Sequence, residues 1–340
     1  MNHGTRTILR TFKPTLARRH SQETNQLSFL VSVAFRGKSR SKRELKALKT
    51  ALKFAPDSAI ALWRDQTINK FGRTIYKDAG EDFFFVSSSQ WGKNEEFGEP
   101  VEDLVVGIAD GVGGWVDQGV DPGLFAQGLG YFAHQNAVSG TREPAKLVES
   151  AFDGVIKSSE IKLGSSTFCV GSFDAKEETL NVANSDSYSI GDSTFYHIRP
   201  SDHEVLYMLP PQTFDFNAPL QLGKYGMSIP DETHASDAGL IKRSLKQDGF
   251  SDNVFPHEVR FVADKLVEHK NESNMSDQEF LNDLTNNYLS LAVKIGQSPT
   301  RTTPFQVEAG MHGLNWPGGK ADDVTGKFPA SSLNVKLTPV

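Results

Sequence analysis

Five short stretches of this chain set carboxylates where an apolar run meets a turn. "VVGIADGVGGW" carries Asp110 straight onto glycines, and "GEDFFFV" places Glu81 and Asp82 just ahead of a second apolar run. "GDS" (191–193), "QDGFSDN" (247–253) and "GGKADDVT" (318–325) repeat the arrangement at Asp192, Asp248, Asp252, Asp322 and Asp323. Each piece alone is more often a turn than a ligand. Carboxylates gathered at one sheet edge repel one another unless a cation neutralises them. An all-oxygen set with room for water suits Mg²⁺ or Mn²⁺ rather than Zn²⁺.

The elements that must position these acids follow from periodicity. "EDFFFV" (81–86) and "DLVVGIA" (103–109) read as buried strands. If they pair antiparallel, the start of the first lies beside the end of the second, which brings Glu81 and Asp82 next to Asp110. A helix is expected from "DPGLFAQGLGYF", with Asp121 as its N-cap, and another over 143–162, closed by Gly164. "SSTFCVGSF", "TLNVAN" and "STFYHI" then read as antiparallel strands. Residues 256–270 form an apolar-faced helix, and Ser276 with Glu279 opens another through Leu291. Strands, helices and more strands predict an α+β core rather than regular βαβ winding.

Composition narrows the partners. The chain has 340 residues and a net charge of -6. Residues 1–53 hold 13 Lys and Arg against Glu23 and Glu44, a net of +11, which leaves -17 for the rest. The first 22 residues are rich in Arg and hydroxyls and have no acid, the pattern of a mitochondrial import presequence. Residues 1–54 are therefore expected to be a basic targeting segment, largely disordered, with the domain proper over 55–340. "FLVSVAF" is too short to span a bilayer. Residues 36–54, with Leu45, Leu48 and Leu52 at helical spacing, suit an anionic membrane surface or the tail of the import segment. No base-reading motif points to nucleic acid. One cysteine, Cys169, rules out an internal disulfide and any Cys-based zinc cage. "DGVGGW" lacks the P-loop pattern, and an Asp at its head would repel phosphate without a metal.

In their order, "GEDFFF", "ADGVGGW", "GSST", "FNAPLQL", "DGFSDN" and "GGKADDVT" resemble the metal-dependent type 2C protein serine/threonine phosphatases. They are most similar to the mitochondrial branch linked to coenzyme Q biosynthesis. The similarity spans roughly residues 78–326. The resemblance implies two packed antiparallel β-sheets flanked by helix pairs, a four-layer αββα sandwich. It implies hydrolysis of phosphoserine and phosphothreonine by a water bridging two Mg²⁺ or Mn²⁺ ions. By the same resemblance Asp110 bridges the ions, Gly111 offers its carbonyl, Glu81 serves one ion, and Asp248 and Asp322 serve the other. Asp192 and Asp252 match a weaker third site, and Asp82 and Asp323 support the ligands. Asp110, Asp248 and Asp322 would then carry the catalysis. Lys77, four residues before Glu81, stands where many relatives have a phosphate-gripping Arg. The expected partners are phosphorylated mitochondrial matrix proteins, those of coenzyme Q biosynthesis among them.

Four departures from the family pattern support a second reading, a weakened phosphatase that acts as a binding module. Val112 follows Asp110-Gly111 where many members carry a His able to protonate the leaving group. "VANSDSYSIGDS" adds about five residues to a tight hairpin, with Asp186 as a competitor for Asp192. "GLIKRSLKQDG" puts Lys242, Arg243 and Lys246 in a strand that should be buried. "GKFPASS" is expected to shorten the strand after Asp323 through Gly326 and Pro329.

Overall fold

The structure is a computed structural model that describes residues 10–12, 26–71, 78–91, 98–177, 179–183, 193, 195–199, 202–209, 211, 213–225, 249–273 and 275–334. In chain order the elements begin with β1 (Arg10–Phe12), β2 (Gln26–Arg36), α1 (Lys42–Thr50), α2 (Ala59–Phe71), β3 (Asp82–Ser87) and β4 (Asp103–Asp110). A 3₁₀ turn (Gly113–Gln118) leads to α3 (Gly123–Val138) and α4 (Pro144–Lys157). Next come β5 (Gly164–Ser166), β6 (Cys169–Asp174), β7 (Thr179–Ala183), β8 (Tyr196–Ile198) and β9 (Val205–Met208). The short strands β10 (Thr213–Asp215), β11 (Ala218–Pro219) and β12 (Leu222–Lys224) follow. The chain continues through α5 (Pro256–Glu272), α6 (Asp277–Gly296), α7 (Pro304–Met311) and β13 (Val324–Asn334).

One antiparallel sheet has the order β1-β7-β6-β4-β3. Its strands β3 and β4 read as apolar runs because both of their faces are covered. Phe83 and Phe85 point into a core shared with Leu124, Leu129 and Leu147 of α3 and α4. Phe84 and Val86 point the other way, against Phe29, Val31, Val33 and Phe35 of β2. Burial of each such side chain is worth roughly 1.5–3 kcal/mol. On the far side of β2, Ala34 meets Val259 of α5 and Tyr288, Leu289 and Ala292 of α6. The architecture is thus mixed α+β with several antiparallel sheets.

Three local expectations change. Residues 26–54 belong to the folded body, so its boundary lies ahead of residue 55: β2 pairs with β13 from Gln26↔Asn334 to Val324↔Arg36, and α1 starts on a Ser41–Glu44 capping box. Nor is β13 cut short by Gly326 and Pro329, for it runs 11 residues and Pro329 lies opposite Val31. Among the described residues β2 is the only strand that β13 pairs with, and Pro is tolerated on such an edge. Finally, α4 ends at Lys157, and Gly164 instead opens β5 at φ +143°.

Candidate active site

The acids meet where the strands end. In the β3–β4 pair Asp82 lies opposite Asp110, and the Gly111 N–H donates to the Glu81 carbonyl at 3.1 Å. The main chain of Asp110 is held by the "GSST" segment. Its carbonyl accepts from Ser166 Oγ at 2.7 Å and from the Thr167 N–H at 2.9 Å, and its own N–H donates to Thr167 Oγ1 at 3.1 Å. Ser165 Oγ accepts from Trp115 Nε1 at 2.7 Å and donates to Gln221 Oε1 at 3.1 Å. Hydrogen bonds therefore join "ADGVGGW", "GSST" and "FNAPLQL", which lie far apart in sequence.

Asp322 and Asp323 arrive from the approach to β13. Asp323 Oδ2 accepts from the Glu81 N–H at 3.1 Å, and Asp322 Oδ1 accepts from the Asp323 N–H at 2.9 Å. Asn253 fastens the turn at 249–253 to this segment. Its Nδ2 donates to the carbonyls of Gly249 and Lys320 at 2.8 Å, and its Oδ1 accepts from the Lys320 N–H at 2.9 Å. A Cβ on Gly249 would lie 2.1 Å from the Asp323 carbonyl oxygen, so the residue after Asp248 rests directly on the acidic segment.

Two cations that the sequence reading passed over enter this cluster from the loop after β2. Lys38 Nζ lies 3.0 Å from Glu81 Oε2, 3.1 Å from Asp322 Oδ1 and 3.8 Å from Asp323 Oδ2. Arg40 donates to Glu81 Oε1 at 3.0 Å, and the Lys38 N–H donates to Asp323 Oδ1 at 2.5 Å. The signal was present as "FRGKSR", but its charge was assigned to a targeting segment.

Burial pushes the carboxyls of Glu81, Asp82 and Asp323 above the usual range, and that of Asp322 up to about 7. Lys38 is also buried, which opposes its charge, yet Asp322, Glu81 and Asp323 together hold it firmly protonated. These directions are compatible because the acids outnumber the cations: one ammonium has several carboxylates, while each carboxylate has only a share of it.

The donor set suits a hard divalent cation. Glu81, Asp110 and Asp322 offer only oxygens, and Asp322 Oδ2 is buried with no hydrogen-bond partner among the described residues. No group of three or more His, Cys, Asp or Glu among the described residues is arranged to hold a metal. Asp252, expected at a weaker third site, pairs with Lys320 Nζ, which also donates to Asn217 Oδ1 at 3.1 Å and lies 4.4 Å from the centre of the Phe305 ring. Asp192, Asp248, Asp186 and Lys77, with the strand preceding Asp248, lie outside the described residues.

No protein-family model matches the sequence. The chain is 33% identical over 266 residues to the Drosophila mojavensis protein phosphatase PTC7 homolog fig, covering 72% of this chain and 76% of that protein. It is 27% identical over 306 residues to the mitochondrial protein phosphatase 2C homolog 7 of Saccharomyces cerevisiae, covering 82% and 80%. The Xenopus laevis protein phosphatase PTC7 homolog is 30% identical over 235 residues, covering 65% and 74%. Among solved structures, that of the photosystem II phosphatase PBCP superposes with a TM-score of 0.55 at 20% identity, over 90% of this chain and 99% of that one.

Proposed function

Because the chain belongs to the PTC7 homologs of the PP2C-type protein phosphatases, we propose that it hydrolyses phosphoserine and phosphothreonine in proteins. Glu81, Asp110 and Asp322, with Asp248 and the Gly111 carbonyl, would hold Mg²⁺ or Mn²⁺. The observation that carries this reading is the convergence of Glu81, Asp110 and Asp322 at one end of β3, β4 and β13. The three cores, helices on sheet, sheet on sheet and sheet on helices, support the four-layer αββα sandwich as its frame.

When bound, such ions supply charge that makes water a nucleophile near neutral pH and offsets the charge on the phosphoryl oxygens. Phosphoryl transfer otherwise asks mainly for positioning, and that is the part played by this chain's residues. Ser166 and Thr167 fix the main chain of Asp110, Asp323 fixes that of Glu81, and Asn253 holds the Lys320–Asp323 segment in place. Lys77 is the proposed phosphate grip, and Lys77→Ala is expected to raise KM without changing metal affinity.

Hydrolysis of a phosphothreonine peptide by the full chain, with Mn²⁺, with Mg²⁺ and with EDTA, tests the proposal beside Asp110→Asn. Turnover that needs metal and is lost in the variant supports it. A folded protein with no turnover supports the second reading, a binding module, which the seating of Lys38 and Arg40 on the acids favours. The name of the yeast relative and the basic, acid-free opening residues support a mitochondrial location, with substrates there that include coenzyme Q biosynthesis proteins. A reporter fused to residues 1–25 that stays diffuse in the cytosol would sink that assignment.

A further inference from the structure

We propose that Lys38 is a built-in counter-cation: its ammonium and the divalent ions compete for the same carboxylates, so that metal enters only as Lys38 leaves. The inference rests on the phosphatase reading for the identity of the ions, and it adds a determinant of their affinity on a loop that the motifs do not include.

Three observations carry it. First, Lys38 Nζ touches Glu81 and Asp322 at 3.0 and 3.1 Å, and these acids would serve different ions. A Mg²⁺ at about 2.0–2.1 Å from either oxygen would sit against the ammonium, with like charges in contact. Second, the ammonium leaves the acids under-neutralised. Glu81, Asp322 and Asp323 are buried, the ion pairs described bring these three acids two cations, Lys38 and Arg40, and Asp322 Oδ2 has no hydrogen bond among the described residues. The cluster therefore retains demand for a stronger cation. Third, the way out is open. The Lys38 side chain is 18% exposed, against 3% for Glu81 and 1% for Asp322, so it lies between the acids and water. Its main chain is anchored at the end of β2, with the Gly37 N–H on the Asp78 carbonyl and the Lys38 N–H on Asp323. The four-carbon stem is able to swing out without unpairing the strand.

The seated state also explains how a site so acidic stays assembled without metal. Its cost is affinity: a protein whose binding-competent form is a minor fraction binds more weakly by that fraction. If the seated form makes up about nine tenths of the metal-free protein, Lys38→Met should bind Mn²⁺ about tenfold more tightly.

Calorimetric titration of the EDTA-stripped full chain with MnCl₂, without phosphosubstrate, tests this on wild type, Lys38→Met, Lys38→Arg and Asp322→Asn. Tighter binding by Lys38→Met, with Lys38→Arg close to wild type, is the expected result. Amine labelling supplies a second reading on the wild-type chain, because Mn²⁺ should speed acetylation of Lys38 Nζ, read by mass spectrometry, as the side chain comes free. Equal or weaker affinity in Lys38→Met, or Lys38 labelling unchanged at saturating Mn²⁺, overturns the proposal. If Asp322→Asn loses Mn²⁺ while Lys38→Met matches wild type, only the counter-cation idea fails. If wild type and Lys38→Met both ignore Mn²⁺, the metal-dependent reading falls with it. Should Lys38→Met not fold, Lys38→Gln and the labelling measurement decide the matter.

Discussion

Replacement of Gly111 by Ala tests how closely the acids depend on main-chain contact. The added methyl would lie 2.3 Å from the Pro122 carbonyl oxygen and 2.7 Å from the Glu81 carbonyl oxygen. Neither obstacle is a side chain that turns aside. One belongs to the residue before α3, and the other accepts the hydrogen bond that ties the end of β4 to Glu81. Reaching an ordinary van der Waals distance needs a shift of about 1 Å, and such overpacking costs about 1–3 kcal/mol. With a urea slope of about 2–3 kcal/mol/M, the unfolding midpoint should fall by roughly 0.3–1.5 M. The same displacement separates Asp110 from Glu81, and misplacement by about 1 Å reduces turnover on the order of 100-fold. Urea unfolding in EDTA reads the first effect, and kcat/KM with Mn²⁺ on a phosphothreonine peptide reads the second. A midpoint within about 0.2 M of wild type, with turnover unchanged, would refute the argument that this glycine is required by close approach.

Two further outcomes concern the charges of Asp103 and Lys320. Asp103, at the start of β4, accepts from Ser88 Oγ, from the Ser89 N–H and Oγ, and pairs with Arg142 at 2.9 Å. Burial raises its pKa, but the Ser89, Arg142 and Ser88 contacts outweigh that and hold it below the usual range. Its contribution is therefore complete above the unfolded value, about 3.9, and is lost as pH falls through the folded one. Asp103→Asn should cost about 1–2 kcal/mol near neutrality and flatten that acid limb in a stability-versus-pH series; an unchanged limb would exclude Asp103 as its source. Lys320→Met strands Asp252, which is one fifth exposed, so a loss near the lower end of the ~3–5 kcal/mol range is expected. Lys320→Met with Asp252→Asn should recover part of that loss in a double-mutant cycle, and strict additivity would mean that the pair is not coupled.

The acids were legible in the sequence because a carboxylate set between an apolar run and glycines has a local signature, and β3 and β4 pair as their run lengths suggest. Lys38 and Arg40 were not, since their role depends on where β2 lies rather than on any motif. The composition of residues 1–53 drew attention to charge. Meanwhile "QLSFLVSVAFR" hid its strand, because Leu30, Val31, Ser32, Val33, Ala34 and Phe35 are all buried and a strand covered on both faces shows no alternation. Pro329 misled in the opposite direction: a rule for central strands was applied to one that pairs with β2 alone among the described residues. Lys320 was equally silent, since an isolated lysine between glycines and acids gives no sign that its ammonium is buried over Phe305.

The β2–β13 pair joins segments about 300 residues apart in the chain. Glu81 and Lys38 emerge early in synthesis, while Asp322 and the strand that covers β2 emerge late. Until that late strand arrives, β2 has lost neither its open edge nor its need for a partner, and the acidic site is missing one wall. Such long-range closure is intrinsically slow. A ribosome-bound chain that still lacks β13 is therefore unable to complete the acidic site, however much of it has already folded. The chain's own topology postpones the activity proposed for it until translation is nearly complete.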